Sequence, residues 1–207
     1  MQTEQQRQTT DVAVLIVFSN RTEMLRRTFE AVRKARPAHL LLYQTRPGAT
    51  MYDAVRWAFS LYDKCIVLEE DSLPSTTFIP FCKELLDRYE NDLRIGLIAG
   101  YNPEGLTAAP SDYLFTRALP RYGWASWRRV VQEWDGSYAV VDDPFNMHQL
   151  EALSRRVEGW DGMTELLRRH KRQGIPVCQT VMWAHMALNS CLTIMPTRNM
   201  LRIDEPL

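Results

Sequence analysis

Residues Val12–Phe18 read Val-Ala-Val-Leu-Ile-Val-Phe, seven apolar residues without a break and mostly β-branched or aromatic. A strand that is apolar on both faces belongs inside a sheet covered on both sides, the habit of parallel sheets packed between helices. The run is far too short to cross a bilayer, which takes about 20 apolar residues. The following segments repeat the requirement. A segment with Leu25, Thr28, Val32 and Ala35 on one helical face precedes Leu40-Leu41-Leu42-Tyr43. A second, over 51–62, turns Met51, Val55, Ala58, Phe59 and Tyr62 inward and precedes Cys65-Ile66-Val67-Leu68. A third sets Phe78, Phe81, Cys82, Leu85, Leu86 and Tyr89 at the spacing of one helix face and precedes Ile95-Gly96-Leu97-Ile98-Ala99. Strand and helix in alternation imply crossover units. The expected fold is α/β and Rossmann-like, a single domain with a mostly parallel central sheet flanked by helices. Asn20 followed by Glu23 has capping-box spacing for the first helix. Pro37 closes that helix, and Pro74 and Ser75 open the third.

After Gly100 the alternation stops. A Pro-, Gly- and Ala-rich loop over 103–112 leads to the aromatic stretch 121–129, which is expected to enter a helix. Further helices are expected over 150–157, 163–171 and 183–189, and short strands over 192–195 and 200–203. A length of 207 residues suits one domain, with the change of pattern separating 11–102 from 103–207. Residues 1–10 are polar, have no signal-peptide core and are expected to form a disordered tail. With 25 basic and 25 acidic residues the formal charge is zero, so nothing in the bulk charge calls for nucleic acid or anionic lipid. Cys65, Cys82, Cys178 and Cys191 form no CxxC pair and match no zinc spacing. Cys65 and Cys82 lie in apolar runs and read as buried, reduced thiols of a cytoplasmic protein.

The chemistry is concentrated in Glu69-Glu70-Asp71, which ends the third strand. In an open parallel sheet, ligands bind outside the carboxyl ends of the strands. Three adjacent carboxylates repel one another unless a cation neutralises them or water solvates them. Hard oxygen ligands suit Mg²⁺ or Mn²⁺, ions that commonly bridge to phosphate, so a nucleoside diphosphate is the natural partner. The plainer alternative is an exposed acidic turn in which Asp71 or Ser72 caps the next helix.

Three blocks carry a family resemblance. The first is Val17-Phe18-Ser19-Asn20-Arg21. The second begins Leu68-Glu69-Glu70-Asp71-Ser72-Leu73-Pro74, runs through Phe78, Phe81-Cys82 and Leu85-Leu86-Asp87-Arg88-Tyr89, and closes with Ile98-Ala99-Gly100-Tyr101-Asn102. The third is Gly123-Trp124-Ala125-Ser126-Trp127-Arg128-Arg129 followed by Trp134-Asp135, with a weaker echo over 192–200. Together they resemble bacterial nucleotide-diphospho-sugar transferases of the GT-A fold, in the N-acetylglucosaminyltransferase-I-like group. The resemblance spans about residues 12–203, and its middle block is the most specific.

That resemblance implies a metal-dependent glycosyltransferase that moves a sugar from a nucleoside-diphosphate sugar, UDP-linked in most such enzymes, to the hydroxyl of an unknown acceptor, with inversion. It implies Mn²⁺ or Mg²⁺ held by Asp71 and Glu70. It makes 11–102 a nucleotide-binding half and 103–207 an acceptor half, and places Asn20, Arg21, Glu69 and Glu70 near the nucleotide, and Arg121, Trp124 and Trp127 around the sugar and acceptor. Core packing is the alternative for the two tryptophans. Asp161 and Asp135 are the candidate general bases, and His185 a candidate metal-side group. The chain departs from the family pattern in three places. Residues 43–50 are short and contain no Asp, Glu70 stands where the family has Asp, and Trp183 is all that remains of a "WD-x-x-W" motif. Two other readings stay open: a relative that binds nucleotide sugar or glycan without turnover, and a nucleotidyltransferase. A nucleic-acid acceptor is not excluded.

Overall fold

The computed structural model describes residues 12–105, 108 and 110–203; the tail expected over 1–10 lies outside them. The first half alternates as its sequence requires: β1 (Val12–Phe18), α1 (Thr22–Lys34), β2 (His39–Gln44), α2 (Met51–Leu61), β3 (Lys64–Glu69), α3 (Phe78–Arg88) and β5 (Ile95–Ala99), with the short β4 (Ser72–Pro74) ahead of α3. The second half supplies β6 (Tyr113–Thr116), β7 (Trp124–Trp127), α4 (Arg128–Val131), a 3₁₀ turn (Ala139–Asp142), α5 (Pro144–Ser154), α6 (Met163–Gln173), α7 (Cys178–Leu188), β8 (Leu192–Pro196) and β9 (Leu201–Ile203). Among the described residues no helix is long and apolar enough to cross a membrane.

The main sheet has seven strands in the order β2-β1-β3-β7-β5-β8-β6. β1 pairs in parallel with β2 and β3, and β5 with β8, while β7 is antiparallel to β3 and β5 and β6 is antiparallel to β8. Five strands therefore share one direction and the sheet is mostly parallel. The two halves are not separate bodies, since β7 of the second lies between β3 and β5 of the first. One apolar layer joins Val14, Ile16, Ile66 and Leu68 to α1 and α3. The other joins Ala13, Leu15, Cys65 and Val67 to α2, α5, α6 and α7. β1 is buried from both sides, as its unbroken apolar run demands.

The stretch expected to become helical at 121–129 instead forms β7, and only Arg128–Val131 turn into helix. A central strand is buried on both faces, so the alternation that normally marks a strand is missing. Residues Ser72–Pro74 do not open α3 but pair as β4 with β9, in a separate two-stranded ribbon. At the head of α1 the N-cap is Arg21, without a side-chain cap hydrogen bond, so Asn20 does not play the capping role its spacing suggested. The capping box occurs at α2 instead, between Thr50 and Asp53.

The site edge is held by close backbone packing. The Gly100 N–H donates to the Gly123 carbonyl at 2.9 Å. A Cβ on Gly123 would lie 2.5 Å from Leu201 Cδ1 and 2.8 Å from Leu68 Cδ2. Gly123→Ala is expected to cost about 1–3 kcal/mol through overpacking, lowering the melting temperature by roughly 3–9 °C in a domain of this size. Thermal unfolding of the variant checks this, and a shift under about 1 °C would contradict the tight packing.

Candidate functional site

The order of the strands fixes where a ligand can approach. From β1 the chain moves outward to β2, then returns through α2 to β3 on the other side of β1. Strand order reverses at that point, and in open α/β sheets ligands bind at such a reversal, here outside the carboxyl ends of β1 and β3. Ser19, Asn20 and Arg21 leave the end of β1, and Glu69, Glu70 and Asp71 close β3. Two segments about fifty residues apart in sequence therefore meet at one edge.

They meet through side-chain bonds. Glu70 is 2% exposed. Its Oε2 accepts the Ser19 N–H at 2.9 Å, and its Oε1 accepts the Ser19 hydroxyl at 2.7 Å and Arg21 Nε at 2.6 Å. Its backbone carbonyl accepts the Thr28 hydroxyl from α1 at 2.8 Å. Burial alone would push the Glu70 carboxyl up, but the hydrogen bonds from Ser19 and Arg21 outweigh it and hold the group below its ordinary range. Arg21 also reaches Asp71, with Nη1 3.2 Å from Oδ2. The second Asp71 oxygen, Oδ1, is buried and has no hydrogen-bond partner. Glu69 is half-buried; burial first, then the neighbouring Asp71, raises its carboxyl above the usual range.

The expected nucleotide-side residues Asn20, Arg21, Glu69 and Glu70 thus sit at one edge, with Asn20 and Arg21 exposed. Ser19 and Thr28, neither of them among the expected site residues, complete the Glu70 cradle. A hydroxyl directly after an apolar strand, beside Asn and Arg, was the available signal for Ser19. The metal expectation fits only in part. Glu70 has both oxygens engaged and faces inward, so its place is that of an organiser and not of an open ligand. Asp71 retains an unpaired buried oxygen, which suits a cation or a ligand donor. Among the described residues, no three His, Cys, Asp or Glu side chains converge as a metal site.

The aromatic block serves the core. Trp124 and Trp127 are 5% and 2% exposed and belong to the apolar layers on opposite faces of the sheet. Trp124 stacks on Phe59 with centroids 6.5 Å apart. Trp127 Nε1 donates to the Leu86 carbonyl at 3.0 Å, and the Arg129 guanidinium lies 4.5 Å from its ring centroid. Neither indole is left with a face open to a sugar, so the alternative of core packing holds for both. Arg121 is exposed, two residues before Gly123, on the loop that enters β7 beside the ends of β3 and β5.

The candidate bases differ in how they are engaged. From Arg128 the chain runs back along α2: Arg128 donates to the Phe59 carbonyl, Arg56 to that of Val131, and Tyr52 to that of Trp134. Asp135 follows and caps the 3₁₀ turn. Its Oδ1 accepts the Ser137 N–H at 2.8 Å and the Ser137 hydroxyl at 2.5 Å, and its Oδ2 accepts the Ala139 N–H at 2.7 Å. Burial opposes ionisation there, yet the bonds from Ser137 and Ala139 keep the carboxyl below its ordinary value. A carboxylate held so firmly in its charged form is a weak proton acceptor. Asp161 is exposed, in the turn between Gly159 and Gly162 that joins α5 to α6. His185 is half-buried on α7, with burial pushing its imidazole down and Glu133 opposing that shift.

Two open clefts flank this edge. One of about 480 Å³ lies between α1 and β4, lined by Arg26, Arg27, Lys34, Leu73 and Pro74. The other, about 410 Å³, follows β2 and is walled by Tyr43, Trp57 and Arg46. Gln44 ties the second to the site by donating to the Ser19 carbonyl at 3.1 Å.

No protein-family model matches the chain, and no curated protein does. Among solved structures it is similar to the crystal structure of a glycosyltransferase involved in the glycosylation of the major capsid of PBCV-1. The identity is 12% over 86% of this chain and 98% of that one, with a TM-score of 0.37. The functional reading therefore rests on the geometry of the chain's own residues.

Proposed function

We propose that the chain is a glycosyltransferase that takes a nucleoside-diphosphate sugar at the carboxyl ends of β1 and β3. The observation that carries this reading is the joining of Ser19 and Arg21, after β1, to Glu70 and Asp71, after β3, at the point where strand order reverses. The two segments are also the first block and the core of the second block of the family resemblance. In this reading Arg21 keeps Nε on Glu70 and turns the Nη1–Nη2 end of its guanidinium from Asp71 to the donor diphosphate, a geometry that suits paired phosphate oxygens. Glu70 fixes Arg21 and the Ser19 backbone in place. A bound Mg²⁺ or Mn²⁺ would be held by Asp71 and would offset the charge of the leaving diphosphate. Asp161, which has no capping role, is the proposed base for the acceptor hydroxyl, and displacement proceeds with inversion. A UDP-linked donor is the specific form proposed.

A second reading, binding without turnover, has its own support. Arg21 already pairs with both Glu70 and Asp71, and the short loop after β2 closes on itself through the Arg46–Ala49 bridge. One panel separates the two. Thermal unfolding is recorded with a series of nucleotide sugars, with and without Mn²⁺, alongside an assay of donor consumption. At a hundredfold excess over Kd a binder stabilises by about 2.7 kcal/mol, a rise of roughly 5–10 °C here. A rise with consumption supports transfer, and a rise without consumption supports the second reading. No rise with any nucleotide sugar sinks both.

A further inference from the structure

We propose that the cleft beside β2 is a carbohydrate-binding site, in which one saccharide unit lies on the indole face of Trp57. The site is separate from the donor edge and does not depend on the donor reading above.

Trp57 stands apart from the other tryptophans of the chain, six in all. Trp124, Trp127, Trp134, Trp160 and Trp183 are each 5% exposed or less, whereas Trp57 is 38% exposed. An indole kept at the surface, inside a concave cleft of about 410 Å³, is open to a ligand. Its neighbours decide which kind. Tyr43 is the other aromatic wall, with ring centroids 5.8 Å apart and planes inclined by 46°. Walls so inclined cannot clamp a flat base from both sides, which takes two parallel rings. A pyranose needs only one open face, because its partly positive C–H groups meet the negative face of the indole.

The hydroxyls around such a sugar need polar partners, and the cleft supplies them. Gln44 gives its Nε2 to the Ser19 carbonyl and keeps Oε1 as an acceptor. Arg46 is the one charged residue of the lining, and among the described residues its guanidinium has no hydrogen bond or ion pair. β2 is also an edge strand. The Thr45 N–H donates to the Phe18 carbonyl, and alternate residues of a strand turn to the same neighbour. The backbone N–H and C=O groups of Leu42 and Gln44 therefore point away from β1, along the open edge. An aromatic face, an unpaired guanidinium, an amide oxygen and open backbone groups together match a ring that is apolar on its face and polar at its rim.

The test uses Trp57 as its own reporter. Wild type, Trp57→Ala, Trp57→Phe and Arg46→Gln are titrated with tetrasaccharides of glucose, xylose, N-acetylglucosamine and galacturonic acid, and with uridine. Acrylamide quenching of tryptophan emission reads Trp57 selectively, since the other indoles are buried, and calorimetry gives the affinity. At least one tetrasaccharide is expected to protect Trp57 from quenching. Trp57→Ala should weaken that binding at least about tenfold, and Arg46→Gln about threefold to tenfold. The inference is overturned if no tetrasaccharide protects Trp57, if uridine protects it and the tetrasaccharides do not, or if either variant binds as tightly as wild type. If Trp57→Ala does not fold, Trp57→Phe must bind more weakly than wild type, and equal affinity overturns the proposal. The tetrasaccharides carry no nucleotide, so their failure leaves the donor reading standing. A failed panel of nucleotide sugars would likewise leave this site intact.

Discussion

Asp71→Asn is expected to reduce donor consumption by about a hundredfold to a thousandfold, the scale seen when one charged stabiliser of a transition state is removed. It should leave the fold nearly untouched. Asp71 contributes one ion pair, at 3.2 Å, to a partner that is 43% exposed, and such a contact is worth at most about 1 kcal/mol. Its other oxygen has no partner to lose. A melting temperature within about 3 °C of wild type, together with loss of turnover, is the expected pair of results from calorimetry and a donor-consumption assay. Full activity in this variant would remove Asp71 from the chemistry.

Glu70→Ala should behave in the opposite way. Its carboxylate accepts from the Ser19 backbone, the Ser19 hydroxyl and Arg21, and truncation leaves those donors facing a cavity. Hydrogen bonds to a charged group contribute about 1.5–3 kcal/mol each when buried. Arg21 can turn to water, so its share is discounted. A net loss of about 2–3 kcal/mol is expected, seen as a fall of roughly 5–10 °C in melting temperature. Any loss of donor binding in Glu70→Ala would then follow from release of Arg21 and the β1 end, and Glu70→Gln should recover part of it. If Glu70→Ala melted like wild type but lost all Mn²⁺ binding, Glu70 would be a metal ligand and its role as organiser would be wrong.

The contrast between these two neighbours shows what the sequence could reveal. Side-by-side acids looked equivalent as letters, and both were expected to hold metal. What separates them is the direction each side chain takes at the strand end, Glu70 inward to Ser19 and Asp71 toward the edge, and that depends on atoms fifty residues away. The scaffold was far more legible. β1 and β5 begin and end where their apolar runs do, and α2 and α3 lie within a residue or so of their periodic faces. Local signals are sufficient there because each helix buries one stripe and each parallel strand both faces.

Legibility failed where non-local pairing decides structure. Trp124 and Trp127, three apart, look like one helix face, but pairing with Val67 and Lys64 on β3 makes them strand residues. β4 and β9 are three residues each and exist because they pair with one another; three residues hold no readable period. Much of the family resemblance marks packing rather than chemistry. Asn102, 1% exposed, donates through Nδ2 to the Pro196 carbonyl and accepts the Glu104 N–H, while its own N–H donates to Asn199 Oδ1. The block ending at Asn102 and the echo over 192–200 are therefore two sides of one junction. Arg129 likewise donates to the carbonyls of Tyr89, Glu90, Asp92 and Ile95.

The measurement closest to the central claim is a crystal of the protein soaked with UDP and Mn²⁺. Difference density for the diphosphate is expected outside the ends of β1 and β3, with Arg21 turned from Asp71 toward a phosphate oxygen. Ordered UDP confined to the cleft beside Trp57 or to the one between α1 and β4, with Arg21 still bridging Glu70 and Asp71, would contradict it.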